Sequence, residues 1–122
     1  MIKLKNFANL LVATALLCGA LMLGSTTASA SEATIAEGKK LAFNRKKGNC
    51  LACHEIEGGS LAGDIGPPLV VMKARFPDKA VLRAQIWNAS EKIPNSIMPP
   101  FGRHHMLSED EIDKITDFIH SL

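Results

Sequence analysis

Cys50-Leu51-Ala52-Cys53-His54 constrains the chain more than any other stretch, because its two thiols and its imidazole share a face only on a helical turn. Residues i, i+3 and i+4 lie over one another on a helix, so all three groups can meet one flat ligand. A C-x-x-C-H run is the attachment sequence of a c-type haem. On that reading Cys50 and Cys53 bond the porphyrin vinyl groups as thioethers, and His54 is the proximal iron ligand. Two plainer chemistries use parts of the pattern. A redox dithiol usually follows a buried strand, whereas the lead-in here, Arg45-Lys46-Lys47-Gly48-Asn49, is charged and broken by glycine. A structural zinc site wants four Cys or His ligands, and no second C-x-x-C or H-x-x-x-H pair completes one.

Residues 1–30 read as a secretory signal peptide. Lys3 and Lys5 precede an almost wholly apolar run from Leu10 to Leu23, and Ala28-Ser29-Ala30 supplies small residues for cleavage after Ala30. The run is shorter than the roughly 18 to 20 apolar residues of a membrane-spanning helix. Cys18 lies inside it, with Leu16 and Leu17 rather than small residues before it, and reads as an apolar residue removed with the leader. Export and haem attachment support each other, since c-type haem is attached on the far side of the bacterial inner membrane; the expected compartment is the periplasm.

Residues 31–122 then form one small domain, not membrane-spanning once the leader is cut. Lys3 and Lys5 are two of the fourteen Lys and Arg, so twelve remain against twelve Asp and Glu. That balance removes the electrostatic motive for nucleic-acid binding. Two of the three cysteines remain, both committed to haem, so no disulfide framework is expected. A chain this short builds only a modest core, and a large apolar cofactor supplies much of the rest. The haem-free protein is expected to fold poorly.

The pattern of apolar residues predicts an all-α fold with long functional loops. Glu32 to Phe43 reads as a first helix, with Gly38 an odd residue in its interior that suits close approach of another helix. Asp78 to Ala89 reads as a middle helix behind Pro77. Ser108 and Glu111 make an S-x-x-E capping box for a last helix whose Ile112, Ile115, Ile119 and Leu122 form one apolar stripe. Its expected partner is the first helix, across Gly38.

The loops carry the remaining ligands. Gly66-Pro67-Pro68-Leu69 is stiff, and its prolines offer carbonyls without N–H groups. A metal-bound imidazole normally gives its second N–H to a carbonyl or carboxylate, and the carbonyl of Pro67 is the expected partner of His54. Ser90 to Leu107 is interrupted by Pro94, Pro99 and Pro100, and Met98 within it is the expected distal ligand, with Ile97 and Phe101 placed to seal the ring edge. Met72 and Met106 read as packing residues. His104 or His105 would instead give a bis-histidine haem, and His120 reads as solvated. Trp87, Lys73, Arg75, Arg83 and Arg103 are weaker candidates for contacts to the haem propionates.

In that order of motifs the chain resembles the class I c-type cytochromes. It is similar more narrowly to the SoxX family, monohaem subunits of SoxAX sulfur-oxidation complexes, in Lys47 to His54, Gly63-Asp64-Ile65-Gly66-Pro67-Pro68-Leu69 and Ile93 to Gly102. The resemblance implies a small class I cytochrome c fold, its N- and C-terminal helices crossing around one covalently bound haem c. It also implies an electron-transfer subunit of an L-cysteine S-thiosulfotransferase-type complex, without the bond-forming site. The implied partners are a SoxA-like cytochrome in a heterodimer, a SoxYZ-like carrier whose cysteine receives thiosulfate, and an acceptor cytochrome. A free-standing electron shuttle is the alternative. A haem enzyme or gas sensor is a third reading, and would need an open sixth position on the iron.

Overall fold

The structure is a computed structural model that describes the backbone of residues 26–122 and the side chains of residues 31–122. Lys3, Lys5, the apolar run and Cys18 lie outside the described residues. The folded unit spans Glu32–Leu122. Four α-helices follow one another: α1 Thr26–Phe43, α2 Met72–Arg75, α3 Lys79–Trp87 and α4 Glu109–His120. Single 3-10 turns at Cys50–Ala52 and Ala89–Glu91 punctuate the loops, and the described residues contain no strand. The fold class is all-α, as the apolar periodicity predicts. None of the described helices is long and apolar enough to cross a membrane.

The ends of the helices follow local chemistry. Asp78 caps α3 by accepting from the Ala80 N–H at 2.8 Å, and α3 stops at Trp87, two residues before the predicted end, where Asn88 turns extended. Ser108 and Glu111 close the capping box in both directions, at 3.2 Å and 3.0 Å, and three acidic residues occupy the positive end of the α4 dipole. At the other end of the chain, α1 begins at Thr26 rather than at the predicted Glu32. Ala28, Ala30 and Ala33 are strong helix formers, so the small residues that suit a cleavage site also suit a helix. The four-residue α2 was not predicted, because one turn between Pro68 and Pro77 has no periodicity to read.

The core gathers around α4. Its Ile112, Ile115, Phe118 and Ile119 are buried with Leu82 and Ile86 of α3, Met72 of α2, and Ala42, Ile56, Phe101 and Leu107. Gly38 is the point where α1 crosses α4. A Cβ there would run into the Lys114 carbonyl and the Phe118 side chain, so only glycine lets the backbones meet. Around the crossing, Phe43 meets Phe118 edge to face at 5.9 Å, and the Lys114 ammonium joins Glu37 and Asp110, each at 2.9 Å. Those two carboxylates, Asp110 foremost, hold the Lys114 pKa above its ordinary value. The chain end is tied down as well: the Met72 N–H donates to the Leu122 carbonyl at 2.8 Å, and His120 Nε2 lies 3.0 Å from the Phe76 carbonyl. His120 is thus half-buried and bonded, where the sequence suggests a solvated residue, because the chain returns from residue 76 to meet it.

Candidate functional site

The attachment motif sits on a single turn, separated from the end of α1 by residues 44–49. Asn49, in the left-handed conformation (φ 48°), starts the turn, and the N–H groups of Cys53 and His54 both reach the Cys50 carbonyl, at 3.2 Å and 2.9 Å. This is the one-turn geometry that the i, i+3, i+4 spacing demands. Both cysteines are free thiols. Burial pushes the Cys50 thiol up to about 11, the reverse of a redox dithiol, whose attacking cysteine is acidified.

His54 is oriented by the proline loop. Its Nδ1 lies 2.8 Å from the Pro67 carbonyl, and a carbonyl only accepts, so Nδ1 carries the proton and Nε2 keeps its lone pair for a metal. Gly66 leaves room for this: a Cβ there would collide with the imidazole ring. The neighbouring Pro68 carbonyl accepts from Arg75 Nη1 at 2.7 Å. Further bonds from Gly66 N–H to the Cys53 carbonyl, 2.7 Å, and from Leu69 N–H to the Glu55 carbonyl, 2.9 Å, lay the loop against the attachment turn.

Met98 lies on the second loop, half-buried and packed against the core. Its N–H donates to Ser96 Oγ at 3.3 Å. Beyond the Pro99-Pro100 pair, the Gly102 N–H donates to the Trp87 carbonyl at 3.1 Å, and Gly102 packs so closely on the Trp87 ring that no Cβ would fit. The loop is thus pinned to the end of α3 rather than free. Phe101 is buried, as a sealing residue should be, but Ile97 is 76% exposed. Met72 is in the core as expected, whereas Met106 is half-exposed and packs little. His104 and His105 are exposed, unlike Met98.

Of the cations weighed for propionates, two are engaged elsewhere. Arg75 serves the Pro68 carbonyl, and Arg83 pairs with Asp113 at 2.5 Å and Glu109 at 3.2 Å while lying 5.5 Å from the Trp87 ring. Asp113 foremost among these partners keeps the Arg83 guanidinium more firmly protonated than usual. Lys73 and Arg103 are exposed. Asn88, which shares the apolar side of the predicted middle helix, is 3% exposed and gives its Nδ2 to Glu91 Oε1 at 3.1 Å, while its Oδ1 is buried without a partner.

The residues present fit a covalent haem. Two free thiols, an imidazole with Nε2 available and a thioether on a pinned loop form a suitable donor set. Large apolar side chains, Ile65, Val70 and Val71 on one loop and Ile93 and Ile97 on the other, are exposed beside Pro67 and Met98, and a porphyrin is the kind of surface that would cover them. Val71 holds a left-handed backbone, φ 48°, a conformation that costs a β-branched residue about 1–3 kcal/mol and gathers at functional sites.

Comparison with known proteins agrees with this geometry. The family model described as Cytochrome c matches residues 35–122. A crystal structure of SoxXA from P. pantotrophus contains a chain similar to this one, with a TM-score of 0.64 and 25% identity, covering 70% of this chain and 79% of that chain. A curated relative, an uncharacterised lipoprotein of Aquifex aeolicus (strain VF5), is 37% identical over 76 residues, which are 62% of this chain and 37% of the relative. The chain therefore spans little more than a third of that relative's length.

Proposed function

Since the chain belongs to the cytochrome c family and carries the attachment site of a covalent haem c, we propose that it is the monohaem electron-transfer subunit of a periplasmic SoxAX-type complex. The observation that carries this reading is the likeness to a chain of the SoxXA structure.

In this role Cys50 and Cys53 would hold one haem c through thioether bonds, and His54 Nε2 and the Met98 sulfur would be the donors to its iron. The haem, when bound, supplies a one-electron iron couple. Everything else is done by the chain. The Nδ1–H bond to Pro67 fixes the imidazole and raises its basicity. The Met98 thioether favours reduced iron and lifts the potential relative to a second imidazole, and the Pro99-Pro100 pair keeps the loop from drifting. Among residues 31–122 no further cysteine is left to act as a sulfur nucleophile. The bond-forming site accordingly belongs to the SoxA-like partner, where the carrier cysteine sulfur joins the terminal sulfur of thiosulfate and two electrons and the thiol proton are released. This chain takes the electrons singly and passes them to an acceptor cytochrome. Export with cleavage after Ala30 brings it to the compartment of its partners.

Purification of the native protein tests the reading. A second haem protein should accompany it, and thiosulfate together with a SoxYZ-like carrier should reduce its haem. A strictly monomeric protein that thiosulfate and carrier leave oxidised would establish a free-standing shuttle instead. The Aquifex relative, named as a lipoprotein, favours a second reading in which Cys18 becomes the lipid-bearing first residue of a tethered cytochrome. Leu16-Leu17 stand where small residues are usual before such a cysteine, and on that ground Ala30 is preferred. The mass of the exported chain separates a start at Ser31 from a lipidated start at Cys18.

A further inference from the structure

The attachment turn has a second side. Leu51 and Ala52, the two residues between the haem-bonding cysteines, line a hollow of about 440 Å³ with Phe43, Arg45, Asn49 and the loop from Gly58 to Leu61. None of Cys50, Cys53, His54 or Met98 lines it. The loop is held in place by a bond from Gly63 N–H to the Leu51 carbonyl, 2.8 Å, and by a bond from Gly59 N–H to the Ile56 carbonyl, 3.0 Å. Gly59 lies directly on the Leu51 side chain. From this fixed loop Leu61 stands 90% exposed, on a left-handed backbone with φ 56°. A large apolar side chain held out in a conformation that L-residues avoid needs a reason beyond the monomer.

Charge supplies the other half of the pattern. Residues 38–54 contain the cations Lys39, Lys40, Arg45, Lys46 and Lys47 and no acid. Within that segment, among the described residues, an ion pair is formed by Lys47 alone, with Glu111. Lys39 lies 5.4 Å from the Phe43 ring, and its ammonium borders Gly58, so it stands at the rim of the hollow that Arg45 lines.

We propose that this face is the docking surface for an acidic protein subunit, which seats an apolar side chain in the hollow beside Leu61 and sets carboxylates against Arg45 and Lys39. The assignment rests on the subunit reading above and deepens it by naming the surface. A partner seated on Leu51 and Ala52 is a few covalent bonds from both thioether sulfurs, so the contact that binds also shortens the electron path. An anionic membrane shares the required charge, but a bilayer takes up a protruding amphipathic face and gains nothing from a hollow.

The test uses the haem-loaded chain and the haem protein that co-purifies with it, identified by haem stain and mass. That protein is titrated against the wild type, Leu61→Asp, Arg45→Glu and, outside the lining of the hollow, a charge reversal at the exposed Lys92, Lys92→Glu. Leu61→Asp and Arg45→Glu should each weaken binding about tenfold or more with the haem absorption spectrum unchanged, Lys92→Glu should change it by less than about threefold, and wild-type affinity should fall with added salt. If Leu61→Asp and Arg45→Glu bind normally and the haem protein still co-purifies, the subunit reading stands and this face is wrong. If no haem protein co-purifies, both fall. Wild-type binding to phosphatidylglycerol vesicles that Arg45→Glu abolishes would reassign the face to a membrane.

Discussion

The His54 imidazole is set by two neighbouring backbone features, a carbonyl that takes the Nδ1 proton and a glycine that makes room for the ring. Their joint requirement is strict. Gly66→Ala places a methyl group against the imidazole, and the ring or the proline loop must move. The variant should lose about 1–3 kcal/mol of stability in urea unfolding, and its reduction potential should rise because a displaced imidazole donates less to ferric iron. An unchanged potential would mean that the Pro67 bond does not tune the ligand. At the distal side, Met98→Ala should abolish the long-wavelength charge-transfer band of methionine-ligated ferric haem and lower the potential. A retained band would exclude Met98, and a bis-histidine spectrum in the wild type would point to His104 or His105. The attachment turn and the Pro67 partner of His54 were legible in the sequence, because a C-x-x-C-H turn and an X-Pro-Pro segment restrict their own geometry. The occupations of Arg75 and Arg83 were not, since their partners are set by where other elements pass, and Ile97 faces water although its neighbour Phe101 is buried.

Among the elements, α4 organises the rest. Its capping box also reaches the attachment segment, because Glu111 pairs with Lys47 at 2.6 Å while bonding the Ser108 N–H. The Lys47 ammonium foremost, and then the Ser108 N–H, hold the Glu111 carboxyl below the usual carboxylate range. A group whose folded pKa is depressed stabilises above its unfolded pKa, about 4.3 for Glu, and that contribution is lost as pH falls through the folded value. Glu111→Gln should therefore be less stable than the wild type at neutral pH, and the difference should shrink as both are unfolded in urea at successively lower pH below about 4. A difference independent of pH would leave the capping geometry, and not the charge, as the source. The helices that could be read in advance were those with caps and a 3.6-residue stripe. α2 could not be, for its one turn is held by the bond from Met72 N–H to Leu122 and by burial of Met72, both set at long range.

For the whole molecule the decisive quantity is how little core the polypeptide makes alone. Among the described residues seven large apolar side chains, among them Ile65, Val71 and Ile97, are exposed, and five of the seven lie within five residues of Pro67 or Met98. Replacing both attachment cysteines, Cys50→Ala with Cys53→Ala, should leave a haem-free chain with much reduced helical circular dichroism and no cooperative melt. A sharp transition close to that of the haem-loaded protein would refute the idea that the cofactor completes the core.

By itself the sequence determined the haem-attachment turn, the all-α class, the α1–α4 crossing at Gly38 and both capped helices α3 and α4. These follow from fixed spacings, cap chemistry and the absence of a Cβ, all of which act within a few residues or through one backbone contact. Only the tertiary structure decided that His120 is bonded to Phe76, 44 positions away, that Arg75 and Arg83 brace loops and helices, and that Leu61 stands out beside the hollow that Arg45 lines. Those outcomes depend on which distant segments the packed helices bring together, and no local pattern of residues encodes that return.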